Sequence, residues 1–258
     1  MNSVTSRDGT TIGFDRLGQG PPAILVCGGS VDRMSNAPLA ASLAERFTVF
    51  NYDRRGRGLS GDTPPYAVER EIEDLEAVID EAGGSASVYG SSSGAVLALL
   101  AAASGLPITK LALWEPPFFL REEGRPPADT AKTYEELVTA GRRGDAVEFF
   151  MSKVVGMPPE FVAGARTQPW WAATEAIAHT LAYDARIMGD YSIPADKAAG
   201  VKSPTLVIAG GASFPFLLET ARALADILPE GETHILEGQS HNVDPGVLAP
   251  VLAEFFRE

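Results

Sequence analysis

The chain's 258 residues, 45% of them apolar, are enough to bury a full α/β core, and one domain with an insertion is the default organisation. Its 34 acidic against 21 basic residues leave a formal net charge of -13, a field that repels nucleic-acid phosphates and anionic membrane surfaces, so neither is expected as a partner. The single cysteine excludes an internal disulfide, and three scattered histidines offer no close metal-ligand spacing, so no metal and no cofactor is expected.

Residues 1–8 carry neither a basic nor an apolar stretch, and no run of about eighteen apolar residues follows, which predicts a soluble, cytoplasmic protein. Segments 2–6 and 10–15 flank the turn signal Arg7-Asp8-Gly9 and predict an antiparallel hairpin at a sheet edge. Apolar runs at 23–27, 47–52, 86–89, 111–114, 205–209 and 233–236 are bounded by Gly, Pro and Asp and separated by helix-like stretches. That pattern predicts an α/β protein with a mostly parallel central sheet covered by helices on both faces. Between 118 and 199 strand patterning stops, and helix-like stretches at 134–143, 145–155 and 170–188 predict a helical cap, 118–199, inserted into a core of 1–117 and 200–258. A last helix over 246–256 follows Asp244-Pro245.

The run at 86–89 passes into Gly90-Ser91-Ser92-Ser93-Gly94 and directly into the helix-forming Ala95-Val96-Leu97-Ala98-Leu99-Leu100. Strand, sharp turn and helix are the context that a G-x-S-x-G nucleophile elbow requires. Small flanking residues let strand and helix approach while the central residue takes a strained conformation, and the helix N-terminus favours negative charge developing nearby. Ser92 is the candidate nucleophile at the apex; of its neighbours, Ser93 is expected to give a backbone N–H to an oxyanion, as is Gly29 of the Cys27-Gly28-Gly29-Ser30 loop. Cys27 beside that loop is a second possible nucleophile, set against a buried thiol at a strand end.

These residues, with Asp53-Arg54-Arg55-Gly56-Arg57-Gly58-Leu59-Ser60 and Gly238-Gln239-Ser240-His241, resemble the α/β-hydrolase superfamily over nearly the whole chain. The resemblance implies the order nucleophile, acid, histidine. It assigns the general base to His241, in the loop after the last strand; His179 and His234 are read as structural. It also places the segment from Asp53 to Ser60 as a loop that supports the fold more than the chemistry. Relatives often have histidine where Cys27 stands, and they usually place an aspartate after the strand at 205–209, but here that loop has no carboxylate before Glu219. Some members carry the acid after the preceding strand, where this chain has Glu115 in Trp114-Glu115-Pro116-Pro117. Three possibilities stand at this point: Glu115 as the acid, Glu115 as a structural side chain, or a dyad completed by water or Ser213.

Aromatic residues in the insertion and at the sheet edge, with Phe118, Trp170, Trp171 and Phe214 as the chosen candidates, point to a small apolar substrate. The expected function is a serine hydrolase cleaving an ester, thioester or lactone through an acyl-enzyme on Ser92. Carbon–carbon bond hydrolysis on the same scaffold, or a non-catalytic ligand-sensing member, are the alternatives.

Overall fold

The computed structural model describes residues 2–257. Its strands are β1 (Asn2–Thr5), β2 (Thr11–Leu17), β3 (Pro22–Val26), β4 (Thr48–Tyr52), β5 (Ala86–Ser91), β6 (Ile108–Trp114), β7 (Thr205–Gly210) and β8 (Gly231–Leu236). They form one sheet in the order β1-β2-β4-β3-β5-β6-β7-β8. The N-terminal hairpin pairs β1 with β2 in antiparallel register, Val4 opposite Ile12, and β2 runs antiparallel to β4. From β4 to β8 all pairing is parallel.

The inner strands read as unbroken apolar runs because both faces of the sheet are covered. In β3, Ala23 and Leu25 face one cluster, and Ile24 and Val26 the other. Helices α1 (Ala37–Leu43), α2 (Val68–Glu81) and α3 (Ser93–Ala103) lie in the first half of the chain. The first cluster joins Leu39 and Leu43 of α1 to Leu248 and Leu252 near the C-terminus. On the opposite face, α2 presents Leu75, Val78 and Ile79, while α3 is apolar and buried almost all round from Ser93 to Ala102.

Between β6 and β7 the regular elements among the described residues are helices: α4 (Thr130–Thr139), α5 (Arg143–Phe149) with a π turn over Phe150–Val154, α6 (Pro159–Ala165), α7 (Trp171–Ala176), α8 (Leu181–Met188) and α9 (Ala195–Ala198). Helices α10 (Pro215–Ile227) and α11 (Pro245–Phe255) complete the fold. Two of the helices expected here are interrupted. The stretch expected over 134–143 ends early, because Gly141 takes φ 73 and closes α4 from the left-handed region. The stretch expected over 170–188 breaks after α7, where Arg143 Nε donates to the Glu175 carbonyl at 2.9 Å and so takes an acceptor at the helix end. Tyr134, Ala146, Val147, Trp171 and Leu181 form a hydrophobic cluster within this segment, and Ile187 and Met188 of α8 pack into the main core. Among the described residues, no helix is long and apolar enough to cross a membrane.

The turn between β1 and β2 is tied to α2 through the buried Arg55, which donates to both Asp74 oxygens at 2.7 and 2.8 Å and to Asp8 Oδ2 at 2.9 Å. Partial burial would raise the Asp8 carboxyl, but hydrogen bonds from Thr10 and Arg55 outweigh it and hold the group down at about 2. A carboxyl lowered on folding stabilises the native state above its ordinary value and loses that contribution as pH falls toward the folded one. Asp8→Asn is therefore expected to lower the unfolding free energy by about 2 kcal/mol at pH 7 and by little near pH 2. Urea titrations of both proteins across that range check it.

Candidate active site

Ser92 stands between β5 and α3 with φ 53 and ψ -124, a conformation that costs a non-glycine residue about 1–3 kcal/mol and persists only when the surroundings over-determine it. They do. Its N–H donates to the Trp114 carbonyl at 2.8 Å, and its carbonyl accepts the Ala95 N–H at 2.9 Å. The flanking glycines are sterically required: a Cβ on Gly90 would run into the Gly94 carbonyl, and one on Gly94 into the Cys27 carbonyl. That second contact shows how closely the elbow abuts the loop after β3.

The two loops meet because β3 and β5 are neighbours, with Val26 opposite Gly90 at their carboxyl ends, while β4 lies on the other side of β3. A crevice at such a reversal of strand order is where open α/β sheets bind ligands. Gly28, Gly29, Ser92 and Ser93 all line it. Ser93 is the first residue of α3, so its N–H has no partner within the helix. Arg57 Nη1 donates to the Gly28 carbonyl at 2.5 Å, which turns the N–H on the other side of that planar trans peptide, that of Gly29, the opposite way. Cys27 is fully buried, and burial pushes its thiol up, away from the reactive thiolate.

The carboxyl ends of the next strands bring in the histidine. Trp114 ends β6, and its Nε1 donates to the His241 carbonyl at 3.0 Å. The next residue, Glu115, is fully buried with φ 44, and its Oε2 lies 2.5 Å from His241 Nδ1. Glu115 also accepts the Gly210 N–H at 2.8 Å and the Ser213 hydroxyl at 3.0 Å. Ser213 thus contacts Glu115, not the imidazole. A carboxylate at this distance accepts the Nδ1 proton and leaves Nε2 as the bare nitrogen of the ring. Consecutive residues of one strand end therefore fix both the backbone and the ring of His241.

Ser92 and His241 share a cavity of about 870 Å³ whose other walls include Phe119, Met151, Trp170, Met188, Phe214 and Phe216. Of the aromatics expected at the substrate, Trp170 and Phe214 are on this wall, each partly exposed. Phe118 and Trp171 are not. Phe118 is buried in the main core; its neighbour Phe119 stacks on Phe216 at the cavity. Trp171 is buried within the helical segment, with the Arg166 guanidinium over its ring. His179 is bound to Arg143 near Asp62, and His234 is exposed on β8, so neither belongs to the site.

Sequence patterning misses the charged residues beneath the loop after β3. Arg54 and Arg57 are completely buried, and both reach Asp184 of α8 at 2.8 Å; Arg54 also pairs with Glu71. Burial would raise the Asp184 carboxyl, but Arg57 and Arg54 beside it hold it below its ordinary value. The available signal is the spacing of Leu181, Asp184, Ala185 and Met188, which puts a lone acid on the buried face of a helix. Among the described residues no group of three His, Cys, Asp or Glu side chains is arranged to hold a metal ion.

A family model described as the alpha/beta hydrolase family matches residues 23–251. The structure is similar to that of an alpha/beta hydrolase from Sphaerobacter thermophilus DSM 20745, with 54% sequence identity, 99% of this chain and 100% of that one covered, and a TM-score of 0.91. A thermophilic esterase from Thermogutta terrifontis shares the fold at 21% identity, with 99% and 97% covered and a TM-score of 0.74. The hydrolase YraK of Bacillus subtilis strain 168 is 35% identical over 102 residues, so the match spans 38% of each chain.

The close approach at the elbow makes a steric prediction. Gly94→Ala is expected to cost about 3 kcal/mol or more, because its new methyl has only backbone to displace. Gly164→Ala, in α6 with nothing near the added atom, is expected to be neutral or slightly stabilising. Thermal unfolding midpoints of the two variants report the contrast.

Proposed function

The chain belongs to the alpha/beta hydrolase family, and we propose that it cleaves an ester, thioester or lactone of a small apolar substrate through an acyl-enzyme on Ser92. The observation that carries the proposal is the 2.5 Å contact of Glu115 Oε2 with His241 Nδ1, on a histidine that shares the cavity with a serine in elbow conformation. In this reading residues 118–199 act as a cap, and Phe119 and Trp170 from that segment face the apolar part of the substrate.

In this reading the reaction runs through two tetrahedral intermediates. Ser92 Oγ attacks the acyl carbon as its proton passes to His241 Nε2, and the carbonyl π pair moves onto oxygen. The N–H groups of Gly29 and Ser93 receive that oxyanion, in a site where the start of α3 adds a favourable field. Collapse expels the alcohol, thiol or ring oxygen, which takes the proton from His241, and leaves the acyl group on Ser92. Water then attacks the acyl carbon, gives its proton to His241 and releases the acid, returning the proton to Ser92. Glu115 holds the Nδ1 proton throughout and stabilises the imidazolium that forms twice per turnover.

Labelling with a fluorophosphonate is expected to add one phosphonyl group per chain, on Ser92, with none on Ser92→Ala. Glu115→Gln is expected to lower kcat on short p-nitrophenyl esters by about a thousandfold or more, because an amide misorients the ring and leaves the imidazolium uncompensated. An unlabelled wild-type chain with no esterase activity would contradict the proposal and favour a ligand-binding role. A Glu115→Gln variant of wild-type rate would remove Glu115 from the mechanism.

A further inference from the structure

The oxyanion loop and the first turn of α3 share one anchor outside the serine, histidine and glutamate set. Ser93 Oγ donates to Asp184 Oδ1 at 2.8 Å, and Arg54 Nη1 lies 2.8 Å from the same oxygen. On the other side Arg57 Nη2 donates to Asp184 Oδ2 at 2.8 Å, while Arg57 Nη1 holds the carbonyls of Gly28 and Val31 at 2.5 and 3.1 Å. A Cβ on Gly29 would sit 3.1 Å from Asp184 Oδ2, so the carboxylate also closes the space behind that residue. Both expected oxyanion donors are therefore backed by one side chain, and that side chain comes from α8, in the helical segment rather than in the sheet core.

We propose that Asp184, acting with Arg57, is a positioning residue for the oxyanion hole, so that stabilisation of the tetrahedral intermediate depends on how α8 seats against the loop after β3. The inference rests on the assignment of Ser92 as nucleophile with Gly29 and Ser93 as oxyanion donors. Asp184 does not donate to the oxyanion, and an unneutralised carboxylate so close would repel it. Two guanidinium groups on its two oxygens remove that penalty. What remains is mechanical: Ser93 is fixed through its hydroxyl, and the Gly28–Gly29 peptide is fixed through the arginine that Asp184 orients. Preorganised N–H donors stabilise developing charge only when their direction is set before the reaction.

The test compares wild type, Asp184→Asn, Ser93→Ala and Ser92→Ala on p-nitrophenyl butyrate, with the first three rates expressed per site titrated by fluorophosphonate, so that misfolded chains do not count, and that of Ser92→Ala per folded chain. Asp184→Asn is expected to lower kcat about ten- to a hundredfold with KM changed less than about threefold. It is also expected to weaken a trifluoromethyl ketone, which forms a tetrahedral adduct on the serine, by the same factor as kcat/KM, while leaving inhibition by butyrate unchanged. Ser93→Ala, which keeps its N–H but loses the tether, should show the same pattern at smaller size, about three- to tenfold, and carries the test alone if Asp184→Asn does not fold. Per-site kcat and ketone affinity within twofold of wild type in the variants that fold would overturn the inference, as would a loss confined to KM or to the fraction of titratable sites. Turnover by Ser92→Ala at the wild-type rate would instead overturn the nucleophile assignment on which the inference rests.

Discussion

The site depends on one backbone crossing. Where β5 turns into α3, Ser92 is held at φ 53, and the glycines on either side let the helix start against the loop after β3. A relaxed Ser92 would swing the start of α3, and Ser93 with it, away from Gly29. The compensation comes from burial: α3 is apolar and buried nearly all round, so its start cannot relax without exposing much of the main core. Backbone strain of about 1–3 kcal/mol is small beside that interface.

Around this crossing the sheet delivers the remaining groups by register. Ser91 is opposite Trp114, Trp114 opposite Ile208, and Gly210 opposite Leu236, so the loops after β6, β7 and β8 emerge side by side at the edge where Ser92 stands. Glu115 is the point where they join, taking hydrogen bonds from Gly210, Ser213 and His241. A second layer of order is ionic. Arg54, Arg55 and Arg57 leave one loop fully buried, and each finds a carboxylate. Buried pairs of this kind add little net stability, but losing one partner leaves an uncompensated charge and costs about 3–5 kcal/mol. Their effect is to fix geometry: Arg54 and Arg57 fix the loop after β3 against α8, and Arg55 fixes the β1–β2 turn against α2.

Much of this was legible in the sequence. The apolar runs marked every inner strand to within a few residues, because strands covered on both faces show their burial as continuous hydrophobicity. The elbow was legible because its steric demands fall within five consecutive residues, and the placement of Glu115 beside His241 because a residue immediately after β6 lands at the carboxyl edge of the sheet, where the loop after β8 also emerges. Three features were not legible, for separate reasons. Helix ends at Gly141 and after Ala176 depend on a backbone conformation and on a side chain from another helix. Which of Phe118 and Phe119, or of Trp170 and Trp171, faces the cavity depends on orientation that composition does not encode. The pairing of Arg54 with Asp184 joins residues 130 positions apart, and no local pattern announces it.

The central claim is that Ser92 reacts inside an oxyanion hole made by Gly29 and Ser93. A crystal structure of the phosphonylated protein tests it most directly. The account predicts phosphorus bonded to Ser92 Oγ, one phosphonyl oxygen within hydrogen-bond distance of both N–H groups, and His241 still held at Nδ1 by Glu115. Phosphorus on another side chain, or a phosphonyl oxygen turned away from Gly29 and Ser93, would contradict it.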